Sequence, residues 1–256
     1  MHDAFLHRRS FCRLALTLAA APLARAEAAD DAGSTFGRWV HAVAAFGPPR
    51  YGPEFTHFEY VNARAPRGGT LRLRNPDRRT SFDKFNPFTT RGNSPAGILI
   101  WMVEGLAHLA QDEPSTMYAL LAEAIFVEPD LSSVSFRIRP QARFSNGEPV
   151  TPADVVHSFA TLSGKEAAPG YQTALAGIER AVAVDARTVR FELREKTRDQ
   201  LFLAGTMPVF SRKWGEGKKF SEVTDEYPIT SGPYLIDRVD MPRRIEFRRN
   251  PEYWGR

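Results

Sequence analysis

Apolar and polar positions alternate over Ser133–Arg139. Val134, Phe136 and Ile138 fall on one side, and Ser135, Arg137 and Arg139 on the other. That is the period of a strand with one face buried and one in water. Asn146-Gly147 then supplies a turn tolerant of positive φ, and Thr151 can cap a helix that has Pro152 at its first position and Asp154 three residues after the cap. Val155, Val156, Phe159 and Leu162 recur at helical spacing, so this helix is expected to lay one apolar stripe on the preceding sheet. Residues 178–184 and 188–194 predict a hairpin around Asp185–Arg187. Its Val189, Phe191 and Leu193 face the core that Val134, Phe136 and Ile138 enter.

The pattern elsewhere is less regular. Ala96–His108 is apolar all round a helical wheel, which predicts a buried helix with Ile98, Trp101, Met102 and Leu106 in the core. Pro114 and Ser115 are expected to open a further helix carrying Tyr118, Leu121 and Ala122. Trp39–Phe46 reads as one or two helical turns broken by Gly47–Pro53, after which Phe55, Phe58 and Tyr60 alternate roughly and pin the segment to the body. Gly68-Gly69 turns into a strand with Leu71 and Leu73 inward and Arg72 and Arg74 outward. Gly170 and Tyr171 read as loop, Asp199–Phe210 as an apolar run cut by Gly205 and Pro208, and Ser211–Trp214 as the start of a surface segment. Near the end, Tyr234–Val239 pairs with Ile245–Arg248.

Residues 1–26 change where this protein is expected to work. A positive stretch around Arg8 and Arg9, an apolar run from Leu14 to Leu23 and Ala24-Arg25-Ala26 have the order of an export signal, too short to span a bilayer. Both a Sec and a twin-arginine signal fit. The chain has 34 Lys+Arg against 30 Asp+Glu, and losing residues 1–26 with four arginines and Asp3 leaves 30 against 29. A balance that even gives no electrostatic reason for a nucleic acid or anionic membrane partner. The clusters Arg72, Arg74, Arg78, Arg79 and Arg243, Arg244, Arg248, Arg249 read as solvated strand faces. Cys12 is the only cysteine and lies in the signal, so the exported chain has no disulfide and no thiol chemistry.

Several stretches resemble one known family. Val134-Ser-Phe-Arg-Ile-Arg-Pro-Gln-Ala-Arg-Phe-Ser-Asn-Gly-Glu-Pro-Val-Thr-Pro-Ala-Asp-Val-Val-His-Ser-Phe159 is similar to the signature region of the family 5 extracellular solute-binding proteins. Phe82–Phe88 resembles "FDxxNPF" and Asp112–Glu123 resembles "DEPxTxYxLLAE" of its YejA-like subgroup; Ser231–Tyr234 and Asn250–Trp254 resemble "SGPY" and "NPxYW". The resemblance runs from about residue 58 to residue 256. It implies an α/β, periplasmic-binding-protein-like fold (type II, cluster C): a first lobe with mixed sheets and packed helices, incomplete. The organisation it implies is a signal at 1–26, an arm at 27–59 and a partial solute-binding domain at 60–256, with first-lobe portions at 60–90 and about 200–256 and a smaller lobe at about 91–199. Members are typically more than twice as long, with a second large lobe after "NPxYW", so the expectation is a fragment or a truncated reading frame. The resemblance further implies a periplasmic monomer that hands peptides or peptide-like solutes to the permease subunits of an ABC importer in the inner membrane, without a cofactor. It places Phe82, Asn86, Phe88, Thr206, Met207, Tyr253 and Trp254 on the ligand side; by their own chemistry the aromatics of the 82–88 loop could equally seal it onto the core, and Met207 could be core packing.

Catalytic patterns are missing from the sequence. Gly92–Gly97 is one residue too long for a nucleophile elbow, Ser163-Gly-Lys165 lacks the upstream glycine of a phosphate loop, and no His-Glu-x-x-His or paired-cysteine pattern occurs. His108 has no partner at ligand spacing, and Asp112 and Glu113 are adjacent, the wrong spacing for a catalytic pair on one helix face. The expectation is therefore a protein without catalytic residues, metal or cofactor. A noncatalytic envelope interaction protein keeping one lobe and a secreted hydrolase with dispersed acids are the competing readings.

Overall fold

The computed structural model describes residues 36–74 and 81–256; the segment expected to be an export signal and the arginines at 78 and 79 lie outside them. In chain order come β1 (Trp39–Val40), β2 (Ala42–Ala44), a π-helical turn at Ile98–Met102, β3 (Ala107–Leu109), β4 (Thr116–Ala119), β5 (Ala122–Val127) and β6 (Ser133–Ile138). Then follow α1 (Pro152–Ser163), α2 (Pro169–Leu175), β7 (Ile178–Ala183), β8 (Thr188–Leu193), α3 (Arg198–Thr206), β9 (Tyr234–Asp240) and β10 (Arg244–Arg249).

β6 lies at the centre of a five-stranded sheet ordered β1-β5-β6-β8-β7. The register sets Val134 beside Phe191 and Phe136 beside Val189, so the expected apolar faces coincide and all four side chains are fully buried. β7 and β8 form the expected hairpin. α1 packs over β7 and β8, and α3 against β3 and β6. The start of α1 is a complete capping box: the Thr151 N–H donates to Asp154 Oδ2 at 3.0 Å, while the Thr151 side chain receives the Asp154 N–H. Gly147 takes φ 83° in the turn before it. Thr151 and Pro152 thus start the helix in the register that puts Val155, Phe159 and Leu162 into the core.

Other elements differ from expectation, for physical reasons. The apolar stretch 96–108 is a single π-helical turn followed by extended chain that bridges Val209 through Glu104 and enters β3. It is apolar all round because it passes between two cores: Ile98 and Met102 join Phe82, Phe85 and Ile236, whereas Leu106 and Ala107 join the main core. Trp101 lies half-buried against Tyr234 and Phe247. The extended chain approaches α3 closely at Gly105, where a Cβ would stand 2.9 Å from the Gly205 carbonyl oxygen; a Cβ on Gly205 would stand 2.6 Å from Met117 Sδ. The helix expected after Pro114 is strand β4, a bend, then β5. Ser115 takes φ 51°, which stops a right-handed helix, and β4 is held between β2 and β3.

Trp39–Phe46 likewise forms β1 and β2, because β5 and β4 offer them edges to pair with. Leu71 and Leu73 are 76% and 65% exposed: no described strand lies alongside to bury their face. Gly170 and Tyr171 belong to α2, which starts at Pro169. Trp214 is buried among Phe88, Phe210 and Phe220, and only Arg212 and Lys213 of its segment reach solvent. Phe55 and Phe58 do pin their segment, packing with Tyr51 against buried Tyr118, and Tyr60 stacks on Phe58.

Candidate functional site

α2 and α3 meet at their sides and leave a recess of about 370 Å³ between them. Tyr171 and Leu175 line it from α2, Leu203 and Thr206 from α3, and Met207 and Pro208 from the extended chain that follows; Ala168, Gly170 and Ala174 complete the rim. None of these side chains is charged. Thr197 caps α3 by accepting the Gln200 N–H at 3.4 Å, and the helix ends where Met207 turns extended before Pro208. The Thr206 hydroxyl donates back to the Phe202 carbonyl at 2.7 Å, so its hydrogen is already committed. The Tyr171 phenol is half-buried, and burial raises its pKa; at neutral pH it is an uncharged donor.

The loop 82–89 braces this wall from behind. Phe88 is fully buried, meets Tyr171 edge-on at 5.5 Å and stacks on Phe210 at 5.3 Å. Asn86 is also fully buried; its Oδ1 accepts the Phe88 N–H at 2.9 Å, and its Nδ2 donates to the Phe220 carbonyl at 3.2 Å. One amide thus fixes two of the stacked rings. The Phe88 carbonyl in turn receives the Ala168 N–H at 2.7 Å, just ahead of α2. Lys84 is buried too, its ammonium donating to Thr89 O and Oγ1 at 2.7 Å each, and burial lowers its pKa. Phe82 lies in the smaller core with Phe85, Ile98, Met102 and Ile236.

Tyr253 and Trp254 close on a buried acid. Glu104 is 9% exposed; its Oε1 accepts the Tyr253 hydroxyl at 2.5 Å and its Oε2 the Trp254 Nε1–H at 3.0 Å. Burial pushes the Glu104 carboxyl above the usual range, and hydrogen bonding, that of Tyr253 foremost, opposes that rise. Burial and the neighbouring carboxylate push the Tyr253 phenol up. The Glu104 carbonyl receives the Val209 N–H at 3.0 Å, so this clamp and the recess share the short stretch 207–209.

The structure therefore sets Thr206 and Met207 in the recess, Phe88 and Asn86 immediately behind it, and Tyr253 and Trp254 on the adjoining clamp, with Phe82 in a separate core. Two residues outside the expected set matter as much. Tyr171 carries no motif; the cue is Pro169, which can start a helix and bring an aromatic residue into its first turn. Glu104 is the only charged residue between Ala96 and Ala107, and a single acid in an apolar run is a buried acid needing donors. Among the described residues no group of three or more His, Cys, Asp or Glu could hold a metal ion, and no helix is long and apolar enough to cross a membrane.

Residues 116–256, more than half of the chain, match the family model described as bacterial extracellular solute-binding proteins, family 5 middle. The chain is 32% identical over 234 residues to the peptidoglycan-binding protein YepA of Agrobacterium fabrum, covering 88% of this chain and 37% of that one. It is 32% identical over 226 residues to the probable peptide-binding protein YejA of the same organism, covering 85% and 36%. The fold is similar to the crystal structure of NikA from Brucella suis in complex with Fe(III)-EDTA, with a TM-score of 0.59, 22% identity and coverage of 69% of this chain and 36% of that one. The chain thus spans little more than a third of the length of these relatives.

Proposed function

This chain belongs to the family 5 bacterial extracellular solute-binding proteins, within the YejA-like group, and on that premise we propose that it binds peptides or peptide-like solutes in the periplasm for an ABC importer. It does so as a monomer that engages the permease subunits in the inner membrane. The observation that carries this reading is the uncharged recess between α2 and α3, open to solvent, braced by fully buried rings and containing no reactive group. The names of the two Agrobacterium fabrum relatives, one peptidoglycan-binding and one probably peptide-binding, support a solute with amide groups.

In this reading Thr206, Met207 and Tyr171 touch the solute. Phe88 and Asn86 hold the wall on which Tyr171 stands. Tyr253 and Trp254 fix the adjoining strand, and Phe82 packs the loop that carries Asn86. No side chain is assigned a catalytic role. Titrating the purified chain with a mixture of tri- to pentapeptides in a calorimeter tests the proposal. Saturable heat, with every peptide recovered unchanged by mass spectrometry, is the expected result. Cleaved peptide, or no heat from a folded sample, overturns it.

A further inference from the structure

We infer that the recess between α2 and α3 is a selector for one uncharged, apolar side chain of the solute, of the size of leucine, methionine or phenylalanine. This rests on the peptide-binding reading above and specifies what part of a peptide the recess takes. At about 370 Å³ it stands near the small end of ligand sites, which suits one bulky side chain with its adjoining backbone. Leu203 and Pro208 offer half-buried apolar surface to it, backed by Leu175 and Met207, which are buried in the main core, so an apolar guest exchanges water for contact. A lysine or aspartate side chain would lose its hydration and find no countercharge, because none of the lining side chains is ionic.

The polar groups agree. Thr206 has already given its hydrogen to Phe202, and the Tyr171 phenol has no described partner, which leaves it free to meet the amide backbone beside the guest. Gly170 stands on the rim of the recess. A Cβ built there would meet nothing within 4 Å, and its backbone is not in a left-handed conformation, so this position can be filled without straining α2.

The test uses the purified chain and a series of Ala-X-Ala tripeptides with X as Leu, Met, Phe, Gly, Lys or Asp, titrated by calorimetry. Leu, Met and Phe peptides are expected to bind about tenfold or more tighter than the Gly peptide, with Lys and Asp peptides no tighter than Gly. Gly170→Phe, adding a ring at the rim, should shrink the advantage of the Leu peptide over the Gly peptide to about twofold or less. Leu203→Lys, placing a cation in the wall, should raise the Asp peptide above the Leu peptide; it keeps the test decisive should Gly170→Phe lower the melting temperature. Equal binding of all six peptides, insensitive to both variants, overturns the selector while leaving peptide binding in place. Failure of every peptide to bind the folded chain overturns the peptide-binding reading and the selector together.

Discussion

Two buried carboxylates, Asp154 and Glu104, are received by the fold in opposite ways. Asp154 accepts the Thr151 N–H and hydroxyl from three positions away, and the Arg212 N–H at 3.1 Å. Its donors are largely local, and they fix where α1 begins. Glu104 accepts from Tyr253 and Trp254, 149 and 150 positions along the chain. Its donors are distant side chains, and they tie the far end of the described chain to the strand that leads into β3. The same functional group therefore serves one helix in one place and long-range closure in the other. Removing each should cost in proportion to what is left without a partner.

The largest expected effect is at the long-range acid. Glu104→Ala leaves a phenol and an indole N–H without their acceptor in a largely buried site, and should lower unfolding stability by about 2–4 kcal/mol, read as a drop in urea midpoint. A loss under about 0.5 kcal/mol would mean that the clamp does not hold the chain end. Asp154→Ala breaks the capping box, but its donors on half-buried Thr151 and exposed Arg212 can turn to water, so it should cost only about 1 kcal/mol, with a matching loss of helical circular dichroism. A loss as large as that of Glu104→Ala would erase the contrast between local and long-range roles. The finest distinction is in pH dependence. Glu104 has a raised pKa when folded, so the folded chain holds its proton more tightly than the unfolded chain. The stability this supplies is complete below the unfolded value of about 4.3 and is lost as pH rises through the folded value. Melting temperatures measured across that interval should fall with pH more steeply in the natural chain than in Glu104→Gln, which has no proton to lose.

The same contrast explains which parts of the architecture could be read from residues alone. Strand β6, helix α1 and the β7–β8 hairpin depend on neighbours within a few positions: alternation at Val134, Phe136 and Ile138, the cap at Thr151, the turn at Asp185–Arg187. Each appears as expected. The stretches 96–108 and 114–122 do not, because their apolar spacing satisfies two cores or two strands instead of one helix face. Along the first, Gly105 meets Gly205 in an approach that no local pattern encodes. The recess is legible to the same degree. Thr206 and Met207 are within reach only through the resemblance of residues 199–210 to the family, and Tyr171 enters because α2 folds back alongside α3.

The glycine crossing has a mechanical consequence for that recess. With the Gly205 carbonyl against Gly105 and Met117 packed on Gly205, the α3 side of the recess is set by close backbone approach with no room for a side chain at either glycine. The seven residues of α2 are moored at their start by the Ala168 amide and pack on α1. On the proposed reading a guest in the recess would meet Tyr171, which makes its edge-on pair with Phe88 the natural place to put a spectroscopic reporter.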